Sequence, residues 1–298
     1  MASSTFWGRR SISIRIASIW SIWVVFSVFM SYAHATESNA SKNKQGFDNA
    51  ENSILQNIKK SGILKVCSES GYLPLEMKTA SGKWIGFDPE MMEAFAKSQG
   101  LKLSMLDTKW DGIIPSLLTG KCDMIASSMA RTKEREKAVT FTDSYYENKF
   151  LIAIKETQEN RKNYNVLQDF NNPDAKIAVK TGSAPDLFLQ DTKLFHKAQI
   201  MRFDADADVV NAVLGGRATA FIYDTPYVKL AAFNNPGKLF VLPDGFNGDH
   251  FSVAVRKKDQ ELASVFNSFL ADWKKAGGYD KAIKYYFEGR DWLALLDK

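Results

Sequence analysis

The sequence predicts an α/β fold made of two lobes with similar architecture. Its 298 residues are enough for about two domains of ordinary size. Short apolar segments alternate with amphipathic ones along the chain, which is typical of a sheet with helices packed on its faces. A unit of helix, glycine, basic residue and strand occurs twice, because residues 112–121 and 208–217 match at an offset of 96 positions. A repeat at this distance indicates two related lobes.

The individual elements follow from local patterns in chain order. The helix predicted from Asp88 begins with this residue as a cap and Pro89 in the first turn, and it ends at Gly100. The last predicted helix has its apolar residues at helical spacing. Strands are predicted at residues 63–68, 101–106, 123–127, 150–154, 176–179, 220–223, 239–242 and 250–256. Helices are predicted at residues 54–60, 88–99, 111–119 and 261–276.

Residues 1–35 have the features of a secretory signal peptide. Three arginines precede an apolar run at residues 16–30, and Ala33-His34-Ala35 provides a cleavage site before Thr36. A membrane anchor is the weaker interpretation, because the run is short and a cleavage site follows it. Arg9-Arg10 raises the twin-arginine export route, but the surrounding residues fit it poorly, so the general secretory route is favoured. The polar residues 36–53 are predicted to be a flexible tether.

The charge and the histidine content exclude several classes of function. The signal peptide contains three arginines and no acidic residue, so its removal lowers the net charge from +5 to +2. A chain with this balance has no global electrostatic reason to bind nucleic acid. Three histidines and two separated cysteines make no evident metal site, and no phosphate loop or nucleophile motif occurs. We therefore expect no metal and no cofactor.

The two cysteines of an exported protein are candidates for a disulfide. Cys67 lies near the end of one predicted strand, whereas Cys122 lies at the start of another. In neighbouring parallel strands these positions are at opposite ends of the sheet, farther apart than the Cα separation of about 7 Å that a disulfide tolerates. The strand pattern therefore predicts two buried free thiols.

The segment from Gly120 to Glu147 carries the main candidates for ligand binding. A buried strand at residues 123–127 ends in small polar residues, followed by Arg135. Ligands of open α/β sheets bind beyond the carboxyl ends of the strands, and an arginine there can hold a carboxylate with two parallel hydrogen bonds. The turn at residues 181–186 leads from a strand into a helix with proline in its first turn, so its amides favour an anion. These features predict a site for a small carboxylic acid.

The order of many short segments resembles one family across residues 54–287. The chain is similar to the periplasmic extracellular solute-binding proteins for polar amino acids, the two-lobed type II or "Venus flytrap" proteins that serve ABC importers. The matching segments are GILKV (62–66), YLPL (72–75), GKWIGFD (82–88), WDGIIPSL (110–117), GKCDMI (120–125), TKER (132–135), FTDSYY (141–146), TGS (181–183), GR (216–217), YD (223–224) and FSVAV (251–255).

The resemblance implies an architecture and a set of partners. Two Rossmann-like lobes would enclose a ligand cleft and would be joined by two crossing hinge strands. Lobe 1 would comprise residues 54–147 plus 250–298, and lobe 2 would comprise residues 148–249. The partners would be a small L-amino acid and the membrane permease of an ABC transporter. We expect a monomer in the periplasm.

The resemblance also implies how the ligand is held. Arg135 matches the residue that binds the ligand α-carboxylate, together with backbone amides near Ala130, which stands where a hydroxyl residue is frequent. Asp224 matches the acid that holds the α-ammonium. The backbone amides of Ser183 and Ala184 would share the carboxylate, and the carbonyl of Ser128 would share the ammonium. Tyr72 and Trp110 would flank the ligand side chain, and Glu69 falls where relatives that bind basic amino acids often place an acid.

Two other classes of function remain open on the same fold. A periplasmic enzyme similar to cyclohexadienyl or arogenate dehydratases would need a carboxylic acid as general acid, and Glu69 is the candidate. A ligand-sensing accessory protein would keep the fold with a degraded site. A binding protein without catalysis is favoured, because a zwitterion leaves water only if both of its charges are paired, and Arg135 and Asp224 meet that need.

Overall fold

The computed structural model describes residues 53–297. The predicted signal peptide and residues 36–52 of the predicted tether lie outside this part of the chain. The strands are β1 (Ile63–Ser68), β2 (Met77–Lys78), β3 (Trp84–Ile85), β4 (Lys102–Asp107), β5 (Met124–Ile125), β6 (Val139–Lys155), β7 (Lys176–Lys180), β8 (Gln199–Phe203), β9 (Ala220–Asp224), β10 (Leu239–Val241) and β11 (Phe246–Arg256).

Helices connect most of these strands. They are α1 (Ile54–Ser61), α2 (Phe87–Ser98), α3 (Trp110–Leu118), α4 (Lys133–Glu136), α5 (Gln158–Asn163), α6 (Ala184–Thr192), α7 (Asp206–Leu214), α8 (Thr225–Asn234), α9 (Gln260–Lys275) and α10 (Gly278–Ile283). Two 3₁₀ segments, Leu167–Phe170 and Asp291–Leu295, and one π-helical turn, Lys284–Glu288, complete the elements of residues 53–297. Between residues 53 and 297 no helix has the length and apolar character needed to span a membrane.

The main sheet has the order β4-β1-β5-β11-β6-β9-β7-β8, with β10 also paired to β6. β1 lies between β4 and β5, and β7 lies between β8 and β9, with all four pairings parallel. β6 and β11 pair antiparallel in the middle and join the two groups. The predicted fold is therefore confirmed: two α/β lobes are joined by two crossing strands.

The sequence repeat corresponds to equivalent elements of the two lobes. α3 and α7 begin at Trp110 and Asp206 and end at Leu118 and Leu214, so both ends differ by the offset of 96 found in the sequence. The strands that follow, β5 and β9, begin at residues 124 and 220, which is the same offset. The two lobes thus repeat one strand–helix–strand unit.

The crossing strands differ from the prediction in length. β6 is one strand of 17 residues, whereas only residues 150–154 were expected to be extended. Register shifts interrupt its pairing with β11 at three places, so the long ladder accommodates a change of direction through bulges. Asn148 and Asp249 pair within this ladder. The proposed lobe boundaries at these two residues therefore fall at one point of the crossing, and they stay a prediction.

The prediction of free thiols is wrong, because Cys67 and Cys122 form a disulfide with a Cα separation of 5.7 Å. β5 contains only two residues, and its register pairs Cys67 with Ile125. Cys122 is therefore in the loop between α3 and β5, where strand spacing does not apply. Both cysteines lie in one buried cluster with Ile113 and Leu117 of α3, which places them on the same face of the sheet.

Asp88 has a different role from the predicted helix cap. α2 begins one residue earlier, at Phe87, and Gly86 occupies the cap position. The Asp88 side chain points away from the helix end and accepts hydrogen bonds from the Ser128 amide at 2.8 Å and the Tyr145 hydroxyl at 2.8 Å. A buried acceptor therefore supports the loop after β5.

Aromatic side chains pack the C-terminal segment against lobe 1. The ring of Phe95 in α2 lies 5.1 Å from that of Phe266 in α9, measured between centroids. Phe87 similarly lies 5.7 Å from Phe287, and Trp292 is fully buried. The helix α9 also packs against β6 and β11, so the C-terminal segment covers part of the sheet and closes the core of lobe 1.

Candidate functional site

All nine predicted ligand-binding residues line one cavity between the lobes. The cavity has a volume of about 30 Å³. The predicted residues in its wall are Glu69, Tyr72, Trp110, Ser128, Ala130, Arg135, Ser183, Ala184 and Asp224. Five residues that were not among them also line it: Glu76, Ser127, Lys180, Asp206 and Tyr223. A groove of about 970 Å³ on lobe 1 is larger, but it lacks residues from the second lobe.

Strand ends and helix starts bring these residues together. β1, β7 and β9 point their carboxyl ends at the cavity, where Glu69, Lys180 and Asp224 lie. Helices α3 and α7 begin there with Trp110 and Asp206. This arrangement is the crevice in which α/β sheets bind ligands.

Arg135 is a buried cation without a carboxylate partner. Its Nη1 donates to the carbonyl of Ala130 at 2.7 Å, and its Nη2 donates to the carbonyl of Gly182 at 3.0 Å. Its guanidinium lies 5.0 Å from the centroid of the Trp110 ring. Within residues 53–297 no carboxylate oxygen lies within 4.0 Å of this guanidinium.

Burial lowers the pKa of Arg135 to about 10, although the charges of Asp224 and Asp249 act in the opposite direction. The side chain therefore stays charged at neutral pH. A buried guanidinium that contacts only neutral acceptors favours a bound anion.

Asp224 is the buried carboxylate of the opposite wall. Its Oδ2 accepts from the Tyr72 hydroxyl at 2.5 Å, and its Oδ1 accepts from Nδ2 of Asn148 at 2.5 Å. Nδ2 of Asn148 also donates to Asp249 at 2.8 Å, so this amide links two carboxylates at the crossing strands. Burial, and then the negative charge of Asp249, raise the pKa of Asp224 to about 8.

The turn before α6 differs in detail from the expected amide pair. The amide of Ser183 donates to the carbonyl of Lys180 at 3.1 Å, and its hydroxyl accepts from the amide of Asp186 at 3.4 Å. Ser183 therefore caps the helix and fixes the turn, and its amide is already used. Ala184 is the first residue of the helix, where amides have no intrahelical acceptor. Ala184 is thus the better candidate for an anion contact.

Ser128 is held in a left-handed conformation with φ of 48°, which is uncommon for a residue other than glycine. Its amide is bound by Asp88, and its hydroxyl donates to Oε2 of Glu76 at 2.9 Å. The hydroxyl of Ser127 donates to Oε1 of the same glutamate at 3.0 Å. Burial raises the pKa of Glu76 well above its usual value and that of Asp88 to about 7, and both carboxyls hold the loop after β5 through these hydrogen bonds.

Sequence reasoning missed an ion-paired group at the other end of the cavity. The ammonium of Lys180 contacts a carboxylate oxygen of Glu69 in lobe 1 and Oδ2 of Asp206 in lobe 2, the latter at 2.9 Å. The hydroxyl of Tyr223 donates to the second oxygen of Asp206. Lys180 is the last residue of β7 and directly precedes the turn at residues 181–186. A charged residue directly after the strand predicted at residues 176–179, at the edge where ligands bind, was the signal that could have found it.

The described part of the chain offers no metal centre. Among residues 53–297, no group of three or more histidine, cysteine, aspartate or glutamate side chains is arranged to hold an ion. The chemistry of the cavity is therefore that of charged and hydrogen-bonding side chains flanked by aromatic rings.

Two lobes with a charged cavity between them define a type II periplasmic binding protein. Residues 64–289 match the model of the bacterial extracellular solute-binding proteins, family 3, and the chain belongs to this family. It is 32% identical to a probable histidine-binding protein of Campylobacter jejuni, over 75% of this chain and 84% of that protein. It is 27% identical to an L-arginine-binding protein of Pseudomonas aeruginosa, over 75% of this chain and 87% of that one.

Solved structures similar to this one include further binding proteins. A putative ABC transporter binding component of Wolinella succinogenes, complexed with lysine, aligns with a TM-score of 0.74 at 33% identity, over 78% of this chain and 99% of that chain. An ancestral amino acid-binding protein, described as a precursor of cyclohexadienyl dehydratase, aligns with a TM-score of 0.73 at 35% identity, over 79% of this chain and 100% of that chain.

Proposed function

We propose that this protein is the periplasmic receptor of an ABC importer and binds a small L-amino acid between its lobes. The observation that carries the proposal is the pair formed by Arg135 and Asp224. One is a buried cation without a carboxylate partner, and the other is a buried carboxylate in the same small cavity. An α-amino acid carries the two complementary charges on one carbon atom, so it pairs both groups at once.

Each wall of the cavity has a role in this binding mode. Arg135 holds the ligand α-carboxylate together with the amide of Ala184. Asp224 holds the α-ammonium together with the carbonyl of Ser128. The rings of Tyr72 and Trp110 flank the ligand side chain.

Lobe closure is the second part of the proposal. A cavity of about 30 Å³ has room for little more than a water molecule, so a ligand enters only when the lobes separate. Arg135 and Trp110 of lobe 1 both hydrogen-bond the carbonyl of Gly182 in lobe 2, and these bonds form only in the closed arrangement. A ligand that contacts both lobes shifts the population toward that arrangement, which a membrane permease then recognises.

We place the protein in the periplasm and assign it no catalytic activity. The signal peptide predicted at residues 1–35 and the periplasmic relatives support the location. Glu69, the candidate general acid of a dehydratase, contacts the ammonium of Lys180 instead of standing free in the cavity. This ion pair favours a binding site over an acid catalyst.

Calorimetric titration with the twenty L-amino acids tests the proposal, using mature protein freed of any bound ligand by unfolding and refolding. We expect one or a few amino acids to bind with a stoichiometry of one. Arg135→Ala should abolish this binding, because the ligand carboxylate loses its only charged partner. Arg131→Ala is the matched control, since Arg131 is exposed and pairs with Glu136 on the surface.

The absence of binding by every amino acid would contradict the receptor function. Prephenate and arogenate would then be tested for turnover, and no turnover would leave the accessory sensor as the remaining class. Binding that survives in Arg135→Ala would contradict the assigned role of this residue.

A further inference from the structure

A lysine already occupies the end of the cavity that faces the ligand side chain. Lys180 is 4% exposed, and its ammonium lies 5.5 Å from the centroid of the Trp110 ring. It contacts Glu69, whose Oε1 accepts from the amide of Trp110 at 3.2 Å. The same ammonium contacts Asp206, which is bonded to Tyr223. The protein thus places its own cation beside the aromatic residues that flank the ligand side chain.

Lys180 also links the residues that separate the cavity from the outer part of the cleft. Glu69, Trp110 and Asp206 line both the inner cavity and an outer part of the cleft with a volume of about 620 Å³. Lys180 touches only the inner side, where it connects the two carboxylates across the lobes. A long ligand side chain would have to pass this ion-paired group to reach the outer cleft.

The position of the Lys180 ammonium between the carboxylates, and not the sum of the charges, disfavours a cationic ligand at this end. Two carboxylates share one ammonium, and both are within hydrogen-bonding distance of it. A second ammonium or guanidinium would have to lie next to the first in a desolvated space, where like charges repel strongly. A neutral amide, hydroxyl or imidazole can instead accept from Lys180 or donate to the carboxylates without adding charge.

We propose that Lys180 determines the substrate class, so that the site takes amino acids with uncharged side chains and rejects those with cationic ones. This inference rests on the proposed function. It reverses the expectation attached to Glu69, because the acid that would hold a basic side chain is satisfied by the protein itself. Lys180 acts as an internal substitute for the side-chain cation of the ligand.

Calorimetry with L-lysine, L-arginine and L-ornithine, beside the uncharged L-amino acids, tests the inference. In the wild-type protein the best ligand should be uncharged, and the three cationic amino acids should bind at least about tenfold more weakly. Lys180→Met leaves Glu69 and Asp206 without a cation. A cationic ligand then supplies the missing charge, so its affinity relative to the uncharged ligand should rise by about 100-fold.

Lys176→Met is the matched control, because Lys176 is on the same strand but exposed, and it should keep the wild-type preference. Lys180→Gln removes the charge and keeps a polar end, so it replaces Lys180→Met if thermal unfolding shows that variant to be unfolded. Combining Glu69→Gln with Lys180→Met should remove most of the gain for cationic ligands, because only one carboxylate remains.

Two results would overturn the inference while leaving the receptor function intact. One is a wild-type protein that binds a cationic amino acid more tightly than every uncharged one. The other is an unchanged preference in both lysine variants. If neither the wild type nor the variants bind any amino acid, the proposed function itself fails.

Discussion

The hydroxyl of Tyr72 donates to Oδ2 of Asp224 over 2.5 Å, and this bond spans the cleft between the lobes. Tyr72 follows the first strand of lobe 1, and Asp224 is the last residue of strand β9 of lobe 2. Burial raises the pKa of both groups, that of Asp224 to about 8. Near neutral pH the carboxyl group that should bind the ligand ammonium is therefore partly protonated.

Ligand affinity should accordingly increase with pH. Binding of an ammonium requires the Asp224 carboxylate, so each binding event below pH 8 releases a proton from it. We expect the affinity to rise by up to about tenfold per pH unit between about pH 6 and pH 8 and to level off above. Calorimetry in buffers with different ionisation enthalpies measures the released proton.

Asp224→Asn isolates this effect, because the amide cannot titrate. The variant should bind the ligand weakly, and its affinity should not rise with pH. Asp208→Asn, on the exposed face of α7, should behave like the wild type. An affinity independent of pH in the wild type would contradict the assigned role of Asp224.

The stability of the ligand-free protein should change with pH in the opposite direction. Burial raises the pKa of Asp88 to about 7 from its ordinary value of 3.8. Between these pH values the folded protein binds more protons than the unfolded chain, so the free energy of unfolding falls as the pH rises. Asp224 contributes in the same direction up to about pH 8.

Asp88→Asn keeps an acceptor for the Ser128 amide and removes the titration. Urea unfolding at pH 5 and pH 8 should therefore show a smaller loss of stability in this variant than in the wild type. An equal loss in both proteins would mean that Asp88 does not carry the effect.

The indole N–H of Trp110 should contribute to lobe closure in addition to the packing of the ring. Its Nε1 donates to the carbonyl of Gly182 at 3.1 Å across the cleft. Trp110→Phe keeps an aromatic ring under Arg135 and loses this bond, which should weaken binding by about 1 kcal/mol, or roughly fivefold in Kd. Trp84→Phe, in the β2–β3 hairpin, is the control. Calorimetry measures the Kd, and a value equal to the wild type would show that the bond contributes nothing to the bound form.

The disulfide should account for a large part of the stability of lobe 1. Cys67 and Cys122 are separated by 55 positions, and closing a loop of this length stabilises a fold by about 4 kcal/mol. Replacing both cysteines with alanine should lower the Tm by roughly 8–16 °C for a chain of this size. The alanine variant should be insensitive to reductant in a thermal scan, whereas the oxidised wild type should lose Tm when reduced. No difference in Tm between the two proteins would contradict the prediction.

The segments that follow predicted strands were the part of the site that the sequence revealed best. Arg135 belongs to the segment after the strand predicted at residues 123–127, and Asp224 directly follows the one predicted at residues 220–223. Their roles came from the order of short segments shared with one family, and both side chains line one cavity. The repeat at an offset of 96 likewise required only matched apolar spacing, and its helices have the same limits in both lobes.

The features that the sequence placed wrongly or missed depend on exact strand limits and on side-chain contacts, which residue spacing does not encode. Cys122 was assigned to a strand that begins only at residue 124, so the distance to Cys67 was overestimated. Lys180 directly follows the strand predicted at residues 176–179, but only its contacts with Glu69 and Asp206 show that it lines the site. Asp88 matched a helix cap by residue type, although its carboxylate supports another loop.

Because Trp110 and Asp206 are equivalent residues of the two repeats, the cavity is assembled from two halves with the same architecture. Each half can change by point mutation without altering the other. A substitution in the lobe 1 copy changes the surroundings of Arg135 and Trp110, and one in the lobe 2 copy changes the surroundings of Lys180 and Asp206. Diversification of ligand preference can thus proceed in one lobe at a time, as long as Arg135 in lobe 1 and Asp224 in lobe 2 are both kept.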